Sequence, residues 1–226
     1  MGCFSCWVVK EFHEMTQQEK IEIIKQMKID DENLKYNEPN KPTENFCAEI
    51  MKKLPYKKEE SKKRLKLFQK LNNSNKICYI SCKRLHVELT NYLELPEVVR
   101  EKDPINKALI SAIEKYARMD DYVVLGWREF HVFIYYLKQY FTYWEIFIKD
   151  DKVDECIIKI EDFKENLDII KEFVNDIVES YFKKIDIKKE KKISFDAFCD
   201  YVIQKSIDEY DFKDDEFDKK ELKFFK

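Results

Sequence analysis

Four times along this chain an amphipathic segment runs into about ten polar residues holding one aliphatic, and a second amphipathic segment comes after them. The entering segments end at Leu71, Ala117, Phe147 or Ile148, and Ile185; the exiting ones begin near Ser81, Glu129, Asp162 and Ala197. Spacing of three and four between apolar residues marks the flanks as helices. One helix-loop-helix unit cannot bury its own apolar face, so such units must pair. The aliphatics inside the loops, Ile77, Leu125, Ile158 and Ile193, are suited to a short strand contact joining one unit to the next. The fold expected from this pattern is all-α, an array of four helix-loop-helix units.

The ends of the segments carry their own signals. Thr16-Gln17-Gln18-Glu19 has the form of a capping box, opening a short helix with Ile21, Ile24 and Met27 on one side. DDENLKYNEPNKP reads as a linker, and a second helix from about Glu44 to Leu54 stops at Pro55. Leu65, Phe68 and Leu71 mark the inner face of the next helix. Asp103 followed by Pro104 supplies an N-cap and first-turn proline for another, whose inner stripe is Ile105, Leu109, Ala112, Ile113 and Tyr116. These signals divide the chain into an N-terminal anchor (1–15), a short helix and linker (16–43), lobe one (44–142), lobe two (143–206) and an acidic to mixed tail (207–226).

Composition removes several function classes. A net charge of -3 gives no field for nucleic acid. The two glycines, Gly2 and Gly126, leave no phosphate loop or dinucleotide fingerprint. His13, His86 and His131 are scattered, and no nucleophile-base arrangement has recognisable context, so neither an enzyme nor a small-molecule substrate is expected. The seven cysteines without a secretory leader read as reduced intracellular thiols. The aromatic run FHVFIYYLKQYFTYWEIFI is interrupted by His131, Lys138, Gln139 and Glu145, which argues for a core helix rather than a membrane span.

Several segments, taken in order, carry a resemblance: KKEESKKRLKLFQKL with KICY, the aromatic run at 130–148, EDFKENL, and YFKKID followed by ISFDAF. Together they resemble the flagellar calcium-binding protein (calflagin) family of EF-hand proteins over about residues 44–206. The resemblance implies an all-α fold of four EF-hand-like helix-loop-helix units in two paired lobes with short loop-loop β contacts, calcium binding, and a flagellar, pellicular or plasma-membrane location. A calcium loop needs oxygens at its positions 1, 3, 5 and 9, a carbonyl at 7, a glycine at 6 and a bidentate glutamate at 12.

None of the loops supplies that set. The fourth has Asp186 and Glu190, with Lys188, Lys191 and Ala197 at positions 3, 6 and 12. The third has Asp151, Glu155 and Asp162, with Val153 and Cys156 in place of a ligand and the glycine. The second keeps Asp120 and Glu129 but opens on Arg118 and has Val123 for glycine; the first, read as short and ending at Ser81, has no carboxylate. The expectation is no cofactor, with low-affinity Ca²⁺ as the alternative.

At the start of the chain, Gly2 is the acceptor for myristate and Cys3 and Cys6 for palmitate, although Cys6 stands where the myristoylation pattern has Ser or Thr. Two acyl groups are needed because a single myristoyl chain binds membranes only with about 10⁴ M⁻¹. A zinc or redox site using these thiols with Cys78 and Cys82 is a rival reading. A basic patch, Lys57, Lys58, Lys62, Lys63 and Arg64, suits either an anionic leaflet or plain solvent. The expected protein is a lipid-anchored adaptor on the cytosolic face of a membrane, bound to lipid through its acyl groups and docking protein partners whose identity the sequence does not give.

Overall fold

The computed structural model describes residues 15–41, 45–72, 79–116, 124–148, 157–159 and 192–195, with 197 and 199. These residues are mostly helical, joined by two small antiparallel strand pairs. Helix α1 spans Gln17–Asp31 and begins at the expected capping box, with Thr16 N–H donating to Glu19 Oε2 (2.8 Å) and Glu19 N–H to Thr16 Oγ1 (3.3 Å). Its apolar side is hardly used: Met27 is buried, while Ile21 is 49% exposed and Ile29 51%.

Helix α2 (Phe46–Lys53) buries Cys47 and Ile50 and stops before Pro55, as the proline's missing N–H requires. A 3₁₀ turn (Lys58–Glu60) leads into α3 (Ser61–Asn72), whose inner face is Arg64, Leu65, Leu67, Phe68 and Leu71. Strand β1 (Tyr79–Ser81) is next, then α4 (Cys82–Leu93), α5 (Glu97–Lys102) and α6 (Pro104–Tyr116). Both α4 and α5 end on a residue in the left-handed region, where glycine is favoured: Glu94 (φ 56°) and Asp103 (φ 47°) take those places in a chain with almost no glycine. Asp103 then caps α6 through Asn106 N–H (3.2 Å).

Strand β2 (Val124–Gly126) runs directly into α7 (Trp127–Ile148), 22 residues long. From Val132 to Ile134 and from Gln139 to Trp144 every residue of α7 is buried, so these stretches have no solvent face and the helix is an axis for the others. It packs against α2, α3 and α6. Phe68 sits at its N-terminal end, 5.0 Å from Phe130 and 5.7 Å from Trp127 between ring centroids. Near the other end Trp144 meets Phe195 edge-on at 4.9 Å. The helix continues unbroken across the boundary between residues 142 and 143 expected from the sequence to divide the two lobes. Among the described residues no helix is long and apolar enough to cross a membrane. Lys138, one of the charges interrupting the aromatic run, lies 5.0 Å over the Tyr56 ring.

Candidate functional site

Strand β1 lies antiparallel to β2, with Ile80 opposite Leu125, Tyr79 opposite Gly126 and Ser81 opposite Val124. Ile80, rather than Ile77, is therefore the partner of Leu125, and Ile77 lies outside the described residues. The sequence ICYI holds two isoleucines three residues apart, and local pattern favours neither. The pairing selects Ile80, fully buried like Leu125. In the second pair, β3 (Ile157–Lys159) and β4 (Lys192–Ser194), Ile158 stands opposite Ile193.

This register fixes which residues after the two strands correspond. Four residues after Leu125 comes Glu129, whose Oε2 folds back over the start of α7, so close to Gly126 that a Cβ built there would lie 2.6 Å from it. Four residues after Ile80, in the corresponding place, comes Arg84 rather than Ser81. Ser81 is instead the N-cap of α4, its Oγ accepting from Arg84 N–H (3.0 Å). Ser194 does the same at the end of β4, accepting from Ala197 N–H (3.2 Å). After the first strand a cation thus stands where the second is followed by the carboxylate of Glu129.

That cation is matched from α1. Arg84 Nε donates to Asp31 Oδ1 (3.3 Å), a second guanidinium nitrogen donates to Asp30 O (2.9 Å), and Ser81 Oγ donates to Asp31 Oδ2. Asp31 is 2% exposed, so its charge is held in a low-dielectric place by a fixed cation and a hydroxyl. The segment after it, expected as a free linker, lies along α4 and α5. Asn91 Nδ2 donates to Lys35 O (2.9 Å) and its Oδ1 accepts from Asn37 N–H (2.8 Å), while Arg100 donates to Asn37 O (2.8 Å).

Tyr36 Oη, His86 Nδ1 (2.9 Å), His86 Nε2 and Asp103 Oδ1 (2.7 Å) form a hydroxyl-imidazole-carboxylate chain. Its outline is that of a nucleophile relay. Burial, followed by the Asp103 charge, raises the Tyr36 hydroxyl above its ordinary value, so this oxygen is held protonated. The chain ties the segment to α4 and to the start of α6.

The other expected positions divide three ways. Glu129 is described, whereas Asp120, Asp151, Glu155, Asp162, Asp186 and Glu190, and the acylation residues Gly2, Cys3 and Cys6, lie outside the described residues. Among the described residues no three His, Cys, Asp or Glu side chains gather to hold a metal ion. In the basic patch Lys57, Lys62 and Lys63 are exposed, and the Lys58 side chain lies outside the described set.

Arg64 does not belong to that patch. It is fully buried, donating to Pro55 O (3.0 Å) and Lys57 O (3.2 Å), 6.0 Å from the Trp127 ring. The physical reason is its place one residue before Leu65 and four before Phe68, on the inner face of α3. There a guanidinium can gather carbonyls freed where the chain turns after Pro55.

Among the thiols, Cys47 and Cys199 are buried, and burial pushes the Cys82 thiol up to about 12. At pH 8 only about one Cys82 in 10⁴ is thiolate, the reactive form. Mapping alkylation by mass spectrometry on the folded protein should find Cys82 unmodified until the chain unfolds. Rapid labelling there would favour the zinc or redox reading.

Sequence reasoning missed Asp31, Arg84, Asn91 and Arg100. A signal for Arg84 existed: ISCKRL and LGWREF share an aliphatic, a small residue, a basic residue at the fourth place and an apolar one at the sixth, and aligning them sets Arg84 against Glu129. For Asp31 no local signal exists, since its partner is 53 residues away. No protein-family model matches this chain, and no curated protein does.

Proposed function

We propose that this chain is a membrane-anchored, non-enzymatic adaptor of EF-hand-like build, similar to the calflagins, with four units in two paired lobes and mostly inactive calcium loops. The observation that carries the reading is Arg84 in the calcium-closing place, paired with the buried Asp31. A site whose closing residue is a neutralised cation is held in one state without an ion. In the fourth unit Ala197 stands at the same place and offers no oxygen from its side chain. Acyl groups on Gly2, Cys3 and Cys6 hold the protein to the cytosolic face of a plasma, flagellar or pellicular membrane, and the helical body docks protein partners there.

A second reading, a weak calcium sensor, is favoured by one feature: Glu129 is folded back toward its loop, as a bidentate ligand would be. Calcium titration separates the two. Tryptophan fluorescence and calorimetry should show no saturable change from roughly 10⁻⁷ to 10⁻³ M; a saturable micromolar response would defeat the adaptor reading, and one confined to roughly 10⁻⁴–10⁻³ M would favour the weak sensor. The anchor is tested by imaging tagged wild type beside Gly2→Ala and Cys3→Ser/Cys6→Ser. Both variants should leave the membrane, and unchanged localisation in both disposes of acyl anchoring.

A further inference from the structure

The bonds that hold residues 30–37 are unusual for a connection between helices. Most of them read main chain: Arg84 takes Asp30 O, Asn91 takes Lys35 O and Asn37 N–H with one amide, and Arg100 takes Asn37 O. Only two side chains of the segment are read, Asp31 by Arg84 and Ser81, and Tyr36 by His86. A row of side chains holding main chain where the end of α1 runs into open chain, with specific sockets five residues apart for Asp31 and Tyr36, is an arrangement able to bind a short peptide. The occupant is net acidic, with Asp30, Asp31 and Glu32 against Lys35, and the wall holds Arg84 and Arg100.

The occupant is also lightly held. Residues 35–40 are exposed, and α1 ahead of them buries only Met27 and Asp31. Residues 30–37 themselves add no side chain to the apolar core, which meets the preceding stretch through Met27 and the half-buried Met15 and Ile23. A peptide of the same chemistry would replace each lost bond with an equal one.

We propose that this wall of α4 and α5 is a peptide-docking site, that residues 30–37 occupy it in cis as a built-in competitor, and that its partner is an acidic segment carrying Asp at a helix end five residues before Tyr. The proposal deepens the adaptor reading, on which it rests for the existence of a partner. A tethered competitor acts at an effective concentration of order millimolar, so wild type binds partner peptide weakly until the tether is loosened. Loosening the segment is therefore equivalent to opening the site.

The test uses the full chain and a labelled ten-residue peptide, IDDENLKYNE, copied from residues 29–38. Asn37→Pro removes the N–H that Asn91 accepts, and Tyr36→Phe removes the hydroxyl at His86; the peptide itself keeps both. Fluorescence anisotropy should show this double variant binding the peptide at least about tenfold more tightly than wild type. Adding Asn91→Ala should abolish the gain, and a peptide with Asp31→Asn and Tyr36→Phe should not bind. No gain in the double variant, or a gain that survives Asn91→Ala, overturns the proposal.

Amide exchange in unmutated protein gives an independent check. Asn37 N–H should exchange at least about 100-fold faster than core amides of α7, through local opening. Exchange of Asn37 only at the global unfolding rate would equally overturn the proposal. Neither experiment contains calcium or lipid, so failure here leaves the calcium titration and the localisation result standing, and their failure leaves this binding result standing.

Discussion

Arg64→Ala is expected to lower the free energy of unfolding by about 3–5 kcal/mol, read as a fall in the urea midpoint without change in slope. The guanidinium is completely buried and donates to two main-chain carbonyls, Pro55 O and Lys57 O. Truncation leaves those carbonyls short of a donor, at about 1–3 kcal/mol for each buried group left unsatisfied, and opens space beside Trp127. Arg64→Lys should recover less than half, because one ammonium on a flexible stem cannot span both carbonyls as a planar fork does. The exposed neighbours Lys62 and Lys63 should change stability by under about 0.5 kcal/mol on the same substitution. Equal small effects at all three positions would return Arg64 to the surface and to the membrane patch.

A second large effect is expected from acid. His131 lies on α7 with Nε2 buried and without a hydrogen-bond partner among the described residues. Burial, reinforced by the Arg64 charge, lowers its pKa from 6.5 to about 4. The folded protein therefore favours neutral imidazole. Above pH 6.5 both states are neutral and nothing is lost. As pH falls from 6.5 towards 4 the unfolded chain takes up a proton that the folded chain does not, and stability drops by about 1.4 kcal/mol per pH unit, reaching about 3 kcal/mol.

His131→Phe should flatten that window. Asp103 adds its own acid loss lower down: burial pushes its carboxyl up, but the bond and charge of His86 outweigh this and hold it below the ordinary carboxylate range. Its share goes only as the pH falls through that lower range. An unchanged profile in His131→Phe between pH 6.5 and 4 would show that His131 protonates freely in the folded protein.

How much of this was legible depended on whether the signal is local. Thr16 with Glu19, Pro55, and Asp103 with Pro104 mark helix ends through bonds spanning three or four residues, and each could be read directly. The aromatic run was legible as core because Lys138 and Gln139 interrupt it too often for lipid. Arg64 was not, since a guanidinium among lysines has the composition of a solvated face and only tertiary geometry turns it inward. The segment after Asp31 was opaque for another reason. Side chains that bind backbone impose no period on the sequence they hold, so DDENLKYNEPNKP has the composition of a linker although much of it is clasped. The register of β1 failed between two isoleucines of equal hydrophobicity, and with it went the correspondence of Arg84 to Glu129.

Helix α7 has neither proline nor glycine between Trp127 and Ile148, so nothing in it marks a hinge. At about 1.5 Å per residue it is a strut of roughly 33 Å, gripped by Phe68 near one end and by Phe195 near the other. A strut of this kind sets distance and rotational phase together. Whatever is fastened at the Trp127 end is presented at a fixed azimuth to whatever is fastened at the Trp144 end, and inserting one residue between them would turn that relation by about 100°.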